Sequence, residues 1–317
     1  MKIIRLADGT PIEKAPLCAV ALGNFDGVHL GHAELLRAVS EIVSASGGML
    51  QSAVWTLSGL PTGPSSVLTD IGEKCRLFRE AGISYAFVQD FQDIKDMSPE
   101  SFINDVLIGK MNCRSVVCGY NFTFGKDALG NPEMLYKLMT ENGGTVKVIS
   151  PVTVGSVPVS STEIRKALSD GDTERAALLL GRPYSIKGTV IHGRMLGRTL
   201  GFPTANVIPD TGRAVPENGV YLTRCRIVPG GTDKRGNESF FAVTNVGVKP
   251  TVDSDGQISC ESYLLDFSGD LYGKTVEMLF YKRLRSEKKF ASRDELSAAV
   301  HGNIDECRRW ASEFGNK

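Results

Sequence analysis

The sequence predicts an α/β chain of two domains: a parallel sheet with helices on both faces, then an antiparallel barrel or sandwich with a terminal helix. Three observations carry this. In the first half, short apolar runs alternate with helical stripes, the pattern of strands and helices that builds a parallel sheet. Past Arg182-Pro183 the chain turns to short alternating segments separated by turn residues, which suits antiparallel strands. At 317 residues the chain holds about two domains. The composition changes near Gly181, so the boundary is placed between residues 181 and 182.

The elements follow in order. Leu17-Cys18-Ala19-Val20-Ala21-Leu22 reads as a buried strand. Leu35, Leu36, Val39, Ile42 and Val43 form the apolar stripe of a helix over 33–45, stopped by Gly47-Gly48. Residues 49–57 read as a strand and 58–66 as a loop. Asp70 with Glu73 forms a capping box that opens a helix through Arg79. A strand over 84–88 precedes Ser98-Pro99, the N-cap and first residue of a helix through Leu107. Val116-Val117-Cys118 is the next strand, Asn131-Pro132 opens a helix closed by Gly143-Gly144, and 145–149 is a strand. In the second half 185–191, 219–227, 240–246, 259–267 and 275–281 read as strands. Leu296, Val300 and Ile304 mark a terminal helix over 293–310.

Composition narrows the function classes. Lys and Arg number 36, Asp and Glu 36, so no global field draws the chain to nucleic acid or to a membrane surface. Seven cysteines without regular spacing do not make a disulfide framework, and Cys113 and Cys118 read as buried thiols. The N-terminus lacks the apolar core of a signal peptide, and no apolar run is long enough for a bilayer. The expectation is a cytoplasmic protein, monomer or weak homo-oligomer, whose partners are small-molecule substrates rather than nucleic acid or membrane.

Gly23-Asn24-Phe25-Asp26-Gly27-Val28-His29-Leu30-Gly31-His32 holds two of the four histidines, three residues apart, between a strand and a helix. That order places free backbone N–H groups and the positive end of a helix dipole where the histidines sit, a place for an anion. A tight turn with two surface histidines is the plainer reading. Zinc is disfavoured, because His192 and His301 are remote and the cysteines are scattered. A nucleotide phosphate site is favoured. Val159-Ser160-Ser161-Thr162-Glu163-Ile164-Arg165 starts a helix, and its hydroxyls, N–H groups and Arg165 could converge on one anion or simply cap the helix.

A second constellation is Gly193-Arg194-Met195-Leu196-Gly197-Arg198-Thr199-Leu200-Gly201-Phe202-Pro203-Thr204-Ala205-Asn206. Its glycine spacing and Arg198 do not fit a Walker A loop. A glycine-rich cover over ATP phosphates fits, as does a barrel turn rich in small residues. Thr204 and Asn206 point the same way in an extended segment and offer hard oxygens to one Mg²⁺. Glu261 shares a strand face with Tyr263, Leu265 and Phe267. A carboxylate on such a face is either used as a base or lies at the strand's solvated start.

These motifs resemble a known family. The His-x-Gly-His after a buried strand is similar to the nucleotidylyltransferase signature. The full string from Gly23 to His32 resembles the adenylyltransferase module of bacterial FAD synthetases, the bifunctional riboflavin kinases/FMN adenylyltransferases. The glycine-rich run with Pro203-Thr204-Ala205-Asn206, Asn245-Val246-Gly247-Val248-Lys249-Pro250-Thr251, the strand around Glu261, Asp270-Leu271-Tyr272-Gly273 and Leu284-Arg285-Ser286-Glu287-Lys288-Lys289-Phe290 resemble riboflavin kinases in order. The resemblance covers nearly the whole chain. It implies a Rossmann-like nucleotidylyltransferase domain over 1–181 and a β-barrel riboflavin kinase domain over 182–317. It implies that riboflavin is phosphorylated to FMN with ATP and Mg²⁺, Glu261 taking the 5′-hydroxyl proton. FMN is then adenylylated to FAD with release of pyrophosphate, His29 and His32 acting on the phosphates. Gly23, Asn24, Phe25, Asp26, Gly31, Asn121, Ser160, Ser161, Thr162 and Arg165 would bind one nucleotide. Gly193, Gly197, Arg198 and Gly201 would bind the other, and Arg285 and Phe290 the flavin.

The adenylyltransferase half departs from the family pattern at three places. Trp55-Thr56-Leu57-Ser58-Gly59-Leu60-Pro61 lacks the usual Pro-His-Pro, Asn121 stands for an aspartate, and Glu163 stands for an arginine. The alternatives are therefore a riboflavin kinase with a degenerate second domain, and a flavin- or nucleotide-binding regulator without turnover.

Overall fold

The computed structural model describes residues 1–6, 15–58, 66–192, 204–228, 238–248 and 257–314. The chain divides into two compact units, Met1–Ser161 and Thr162–Lys317.

The first unit is a six-stranded sheet in the order β1-β4-β3-β2-β5-β6. Its strands are β1 (Lys2–Leu6), β2 (Cys18–Leu22), β3 (Gln51–Leu57), β4 (Tyr85–Gln89), β5 (Cys113–Gly119) and β6 (Thr145–Ile149), and every pairing is parallel. All of β2 is buried, as its unbroken apolar run requires. Alternate residues feed two cores. Ala19, Ala21 and Val54 meet α1 (Leu30–Ala45) and α2 (Ile71–Glu80) through Leu35, Leu36, Val39, Cys75 and Phe78. On the other face Val20, Leu22, Ala53 and Trp55 meet Phe102, Ile103, Val106, Leu135 and Met139.

Those last residues come from two helical stretches. The Ser98-Pro99 start behaves as expected, the Ser98 hydroxyl accepting from the Ser101 N–H at 3.1 Å. The helix it opens is short, however. After α3 (Phe91–Ile94), α4 (Pro99–Ser101) widens at once into a π-helix over Phe102–Lys110, seen in the Met111 N–H bond to the Val106 carbonyl at 3.0 Å. α5 (Pro132–Glu141) follows, capped by Asn131. A small hairpin of β7 (Thr153–Val154) and β8 (Val157–Pro158) ends the unit.

In the second unit α6 (Ser161–Ser169, its first residue shared with the first unit) and α7 (Thr173–Leu180) precede a closed barrel in the order β10-β13-β12-β11-β14-β9. The strands are β9 (Tyr184–Ile191), β10 (Ala205–Val207), β11 (Gly219–Ile227), β12 (Ser239–Val248), β13 (Ile258–Leu264) and β14 (Thr275–Ser286), all antiparallel. Of barrel and sandwich, the barrel forms. Its interior holds a ladder of fully buried hydroxyls, Thr223 to Thr244 at 2.6 Å and Thr244 to Ser262 at 2.7 Å. Outside, α8 (Arg293–Phe314) lays Val300, Ile304, Cys307 and Trp310 on Val220, Leu222 and Val243.

The contacts divide the chain earlier than the composition does. The end of α6 joins the barrel unit, the Leu168 carbonyl accepting from the Glu217 N–H at 2.9 Å and the Asp170 carbonyl from Arg283 at 3.4 Å. All seven cysteines are buried and free, and burial pushes Cys18, Cys225, Cys260 and Cys307 up to about 12, which leaves those thiols inert. Among the described residues no helix is long and apolar enough to cross a membrane.

Candidate active sites

In the first unit the strand order reverses between β2 and β5: β3 lies to one side of β2, β5 and β6 to the other. Open parallel sheets bind ligands at that switch point, outside the carboxyl ends of the strands. The run Gly23–His29 leaves β2 there, and Gly119-Tyr120-Asn121 leaves β5 there, with Asn121 exposed.

The loop turns through left-handed backbone at Phe25 (φ 54°), Gly27 (φ 86°) and Val28 (φ 40°). That conformation is costly for a β-branched residue and persists only where the surroundings impose it. Here they do. The buried Asp26 carboxylate accepts from the Leu68 and Thr69 N–H groups at 2.9 and 3.1 Å. The Gly27 N–H donates to the Thr69 hydroxyl at 2.8 Å. Phe25 is fully buried, edge-on to Phe78 at 5.1 Å. The side chains of Phe25 and Asp26, expected at the nucleotide, are thus turned to the core and to 68–69, and hold the loop's shape.

His29 is the N-cap of α1. Its Nδ1 accepts from the His32 N–H, and the His32 Nδ1 accepts from the His29 N–H, both at 3.3 Å. The two rings stack with centroids 3.6 Å apart and planes 13° from parallel. A nitrogen that accepts a hydrogen bond carries no proton, so each neutral ring keeps its hydrogen on Nε2. The N–H of each ring is then on Nε2, near the positive end of α1. Gly31 leaves room for this stack: a Cβ there would crowd Cε1 and Nδ1 of His29 at 3.2 Å, so the ring would have to shift. Ser161 joins the loop, its hydroxyl donating to the Asp26 carbonyl at 2.8 Å, and Ser160 precedes it.

Thr162, Glu163 and Arg165 continue α6 into the second unit. There Glu163, the acid in an arginine's place, is ion-paired with Arg175 of α7 at 2.8 Å. Trp55, in the strand end that lacks Pro-His-Pro, is buried and donates to Gln89 at 3.1 Å.

In the barrel, register assembles the second site. Asn206 of β10 lies opposite Glu261 of β13, and Glu261 lies opposite Asn245 of β12. The next residues along, Thr244 and Ser262, point into the barrel, so this row points out of it. Thr204 and Asn206 are brought together, the Asn206 amide donating to the Thr204 hydroxyl at 3.3 Å. Among the described residues the buried Asn206 Oδ1 has no hydrogen-bond partner, which leaves an oxygen able to accept from or coordinate a ligand. The Arg285 guanidinium lies 5.4 Å over the Phe290 ring, and burial pushes its ionisation down. Gly193, Gly197, Arg198 and Gly201 lie outside the described residues. Beside that stretch the ring of His192, at the end of β9, stacks on Tyr272 at 3.8 Å. Asn245 and His192 were not singled out as site residues. Asn245 opens a segment that resembles riboflavin kinases, but its place opposite Glu261, like the stacking of His192 on Tyr272, comes from strand register, which spacing does not show.

Comparison with known proteins settles the family. The riboflavin kinase family model matches residues 180–311, and the FAD synthetase model matches residues 12–163. A bifunctional riboflavin kinase/FMN adenylyltransferase of Bacillus subtilis (strain 168) is 34% identical over 312 residues, covering 95% of this chain and 95% of the relative. The chain belongs to that family. The bifunctional riboflavin kinase/FMN adenylyltransferase of Escherichia coli (strain K12) is 33% identical over 306 residues, again covering 95% of each. Among solved structures, one titled as a macrolide-efflux protein from Streptococcus pneumoniae has a TM-score of 0.85 at 29% identity, covering 98% of this chain and 100% of that one. The FAD synthetase match thus takes in the histidine loop and the start of α6, and the riboflavin kinase match takes in the whole row from Thr204 to Glu261.

Proposed function

We propose that this bifunctional enzyme divides its two reactions between the units: FMN forms on the barrel, and FAD forms at the Gly23–His32 loop. One observation carries the second assignment above the others. The reciprocal cap between His29 and His32 leaves both Nε2–H groups as donors at a helix N-terminus.

On the barrel, Glu261 takes the proton of the riboflavin 5′-hydroxyl as that oxygen bonds to the γ-phosphorus of ATP and the bond to ADP breaks. Thr204 and Asn206 fit Mg²⁺, because the Asn206 Oδ1 is a buried hard oxygen without a partner among the described residues and the Thr204 hydroxyl lies beside the same amide. The ion bound there would neutralise phosphate charge. Gly193, Gly197, Arg198 and Gly201 cover the ATP phosphates, and Arg285 with Phe290 holds the flavin.

At the loop, an FMN phosphate oxygen bonds to the α-phosphorus of a second ATP, and the bond to pyrophosphate breaks. The reaction asks for positioning and for donors aimed at the charge that develops. His29, His32, the first N–H groups of α1, and Ser160 and Ser161 supply them. Asn24, Asn121, Thr162 and Arg165 complete the nucleotide contacts. The acid at 163 does not stand alone against the phosphates, because Arg175 pairs with it.

The test is a time course with purified chain, riboflavin, ATP and Mg²⁺, the flavins being separated. FMN should appear first and FAD after it. FMN that accumulates without FAD would remove the assignment of the first unit.

A further inference from the structure

Lys74 lies one turn into α2, on the stripe that it shares with Ile71, Cys75 and Phe78 and that faces the core. Only 4% of it is exposed. Its ammonium is turned beneath the loop that leaves β2. It donates to the Asn24 carbonyl at 2.6 Å, to the Asn24 Oδ1 at 3.2 Å and to the Leu57 carbonyl at 3.3 Å. All three ammonium hydrogens therefore have an acceptor. The Thr56 hydroxyl donates to the same Asn24 carbonyl at 2.9 Å, so the end of β3 and the first turn of the nucleotide loop are tied from below.

Burying a charge at such depth is expensive, and an apolar side chain would fill the space without that cost. What an apolar side chain would not do is orient Asn24. An ammonium has no acceptor, so the Asn24 amide can only offer it oxygen. The amide NH₂ is then turned away from Lys74, and among the described residues no partner takes it.

We propose that Lys74 is a positioning residue for adenylyl transfer: it locks Asn24 so that the amide NH₂ faces the bound nucleotide. This rests on the assignment of the Gly23–His32 loop to FAD formation.

The lock has a pH limit. Burial pushes the Lys74 ammonium down to about 8, against the pull of Asp26 from the loop and of Cys75 and Asp70 from α2. The Cys75 thiol is itself pushed up by burial. From β2 and β3 the neighbours are the neutral Asn24 and the Leu57 carbonyl. A neutral amine carries a lone pair and no charge, so it no longer dictates which way the amide points. An unfolded lysine titrates at about 10.4. Between the two values the unfolded chain holds a proton that the folded chain has released, so the contribution of Lys74 to stability rises with pH. Adenylyl transfer should fall over the same range. A lysine with a structural role alone would not make activity and stability move in opposite directions.

The experiment measures FAD formation from FMN and ATP by the full chain between pH 6 and 10, with riboflavin phosphorylation followed in the same samples. Wild type should lose adenylyl transfer as pH rises through about 8, with no matching loss of phosphorylation. Lys74→Met should lower kcat for adenylyl transfer about tenfold or more at pH 7, should lack the alkaline limb, and should phosphorylate riboflavin as wild type does. Asn24→Ala, in which Lys74 is intact, should also lack the limb, and its combination with Lys74→Met should be no slower than the slower single variant. An alkaline limb that persists in Asn24→Ala would overturn the proposal even where Lys74→Met does not fold. A wild-type rate and profile in Lys74→Met, with FAD formation lost in His29→Ala/His32→Ala, would overturn the role of Lys74 alone. FAD formation retained in that histidine variant would overturn the loop assignment, and the proposal with it.

Discussion

The site proposed for the first unit centres on one run of sequence, Gly23–His32, to which Ser161 is joined, while the one proposed for the barrel draws Asn206, Asn245 and Glu261 from three strands. The two constructions place their cost differently. The loop stores it in the backbone: Phe25 and Val28 hold left-handed conformations, and Asp26, Thr69 and Ser161 restrain them. The barrel row needs no strained backbone, because antiparallel register alone aligns its side chains. On the proposed assignment the loop offers N–H donors to phosphate, suited to a displacement without proton transfer. The barrel offers a carboxylate beside hard oxygens, suited to a displacement that must remove a proton.

That contrast is broken most sharply by separating the activities. Glu261→Gln should lower riboflavin phosphorylation about 10²- to 10⁴-fold, the usual worth of a general base, and spare adenylylation of supplied FMN. Unchanged phosphorylation would mean that the row does not carry the base. His29→Ala with His32→Ala should do the reverse, slowing FAD formation about 10²- to 10³-fold as oriented donors are lost. Removing the cap should also cost about 1 kcal/mol of stability, seen as a lower unfolding midpoint. Equal losses of both activities in either variant would indicate that the sites are not separable.

Local signals made the loop legible and left the row half hidden. The strand, glycines, histidines and helix stripe of 17–45 are contiguous, so their order already placed both histidines at the start of a helix. The capping box at Asp70 and Glu73 and the Ser98 cap form as read, because each depends on residues within one turn. β1 and β10 were not foreseen: the one is an exposed edge strand and the other spans only Ala205–Val207. Asn245 faces Glu261 only once β12 and β13 pair in register, and a single sequence does not print register. Lys74 was hidden for a related reason: it shares the apolar stripe of Ile71, Cys75 and Phe78, and the acceptors that hold its ammonium, Asn24 and Leu57, lie on other elements.

Asn245 offers a finer probe of the barrel row. Asn245→Ala removes a neutral neighbour of Glu261 and not the base itself. The expected loss in kcat/KM for FMN formation is about fivefold, corresponding to about 1 kcal/mol for one hydrogen-bonding group. FAD formation from FMN should not change. A loss as large as that of Glu261→Gln would make Asn245 an equal partner in the chemistry.

The smallest expected effect tests how the loop site tolerates its departure at Glu163. The carboxylate is paired with Arg175 at 2.8 Å, both side chains being about one-third exposed, at 30% and 39%. Such a pair is worth roughly 0.2–1 kcal/mol. Arg175→Ala removes this cation from the acid in the first turn of α6, a segment proposed to contact phosphate. FAD formation should slow roughly twofold to fivefold. Adding Glu163→Ala should restore it, because the charge that Arg175 offsets is then gone. Riboflavin phosphorylation is the control, and the loss in Arg175→Ala should shrink as salt screens the charge. If the double variant is as slow as Arg175→Ala, the carboxylate is not the cause, and Arg175 acts through its place in α7. If both variants match wild type at low salt, position 163 does not feel the nucleotide, and the usual arginine there is not a requirement of the reaction in this chain.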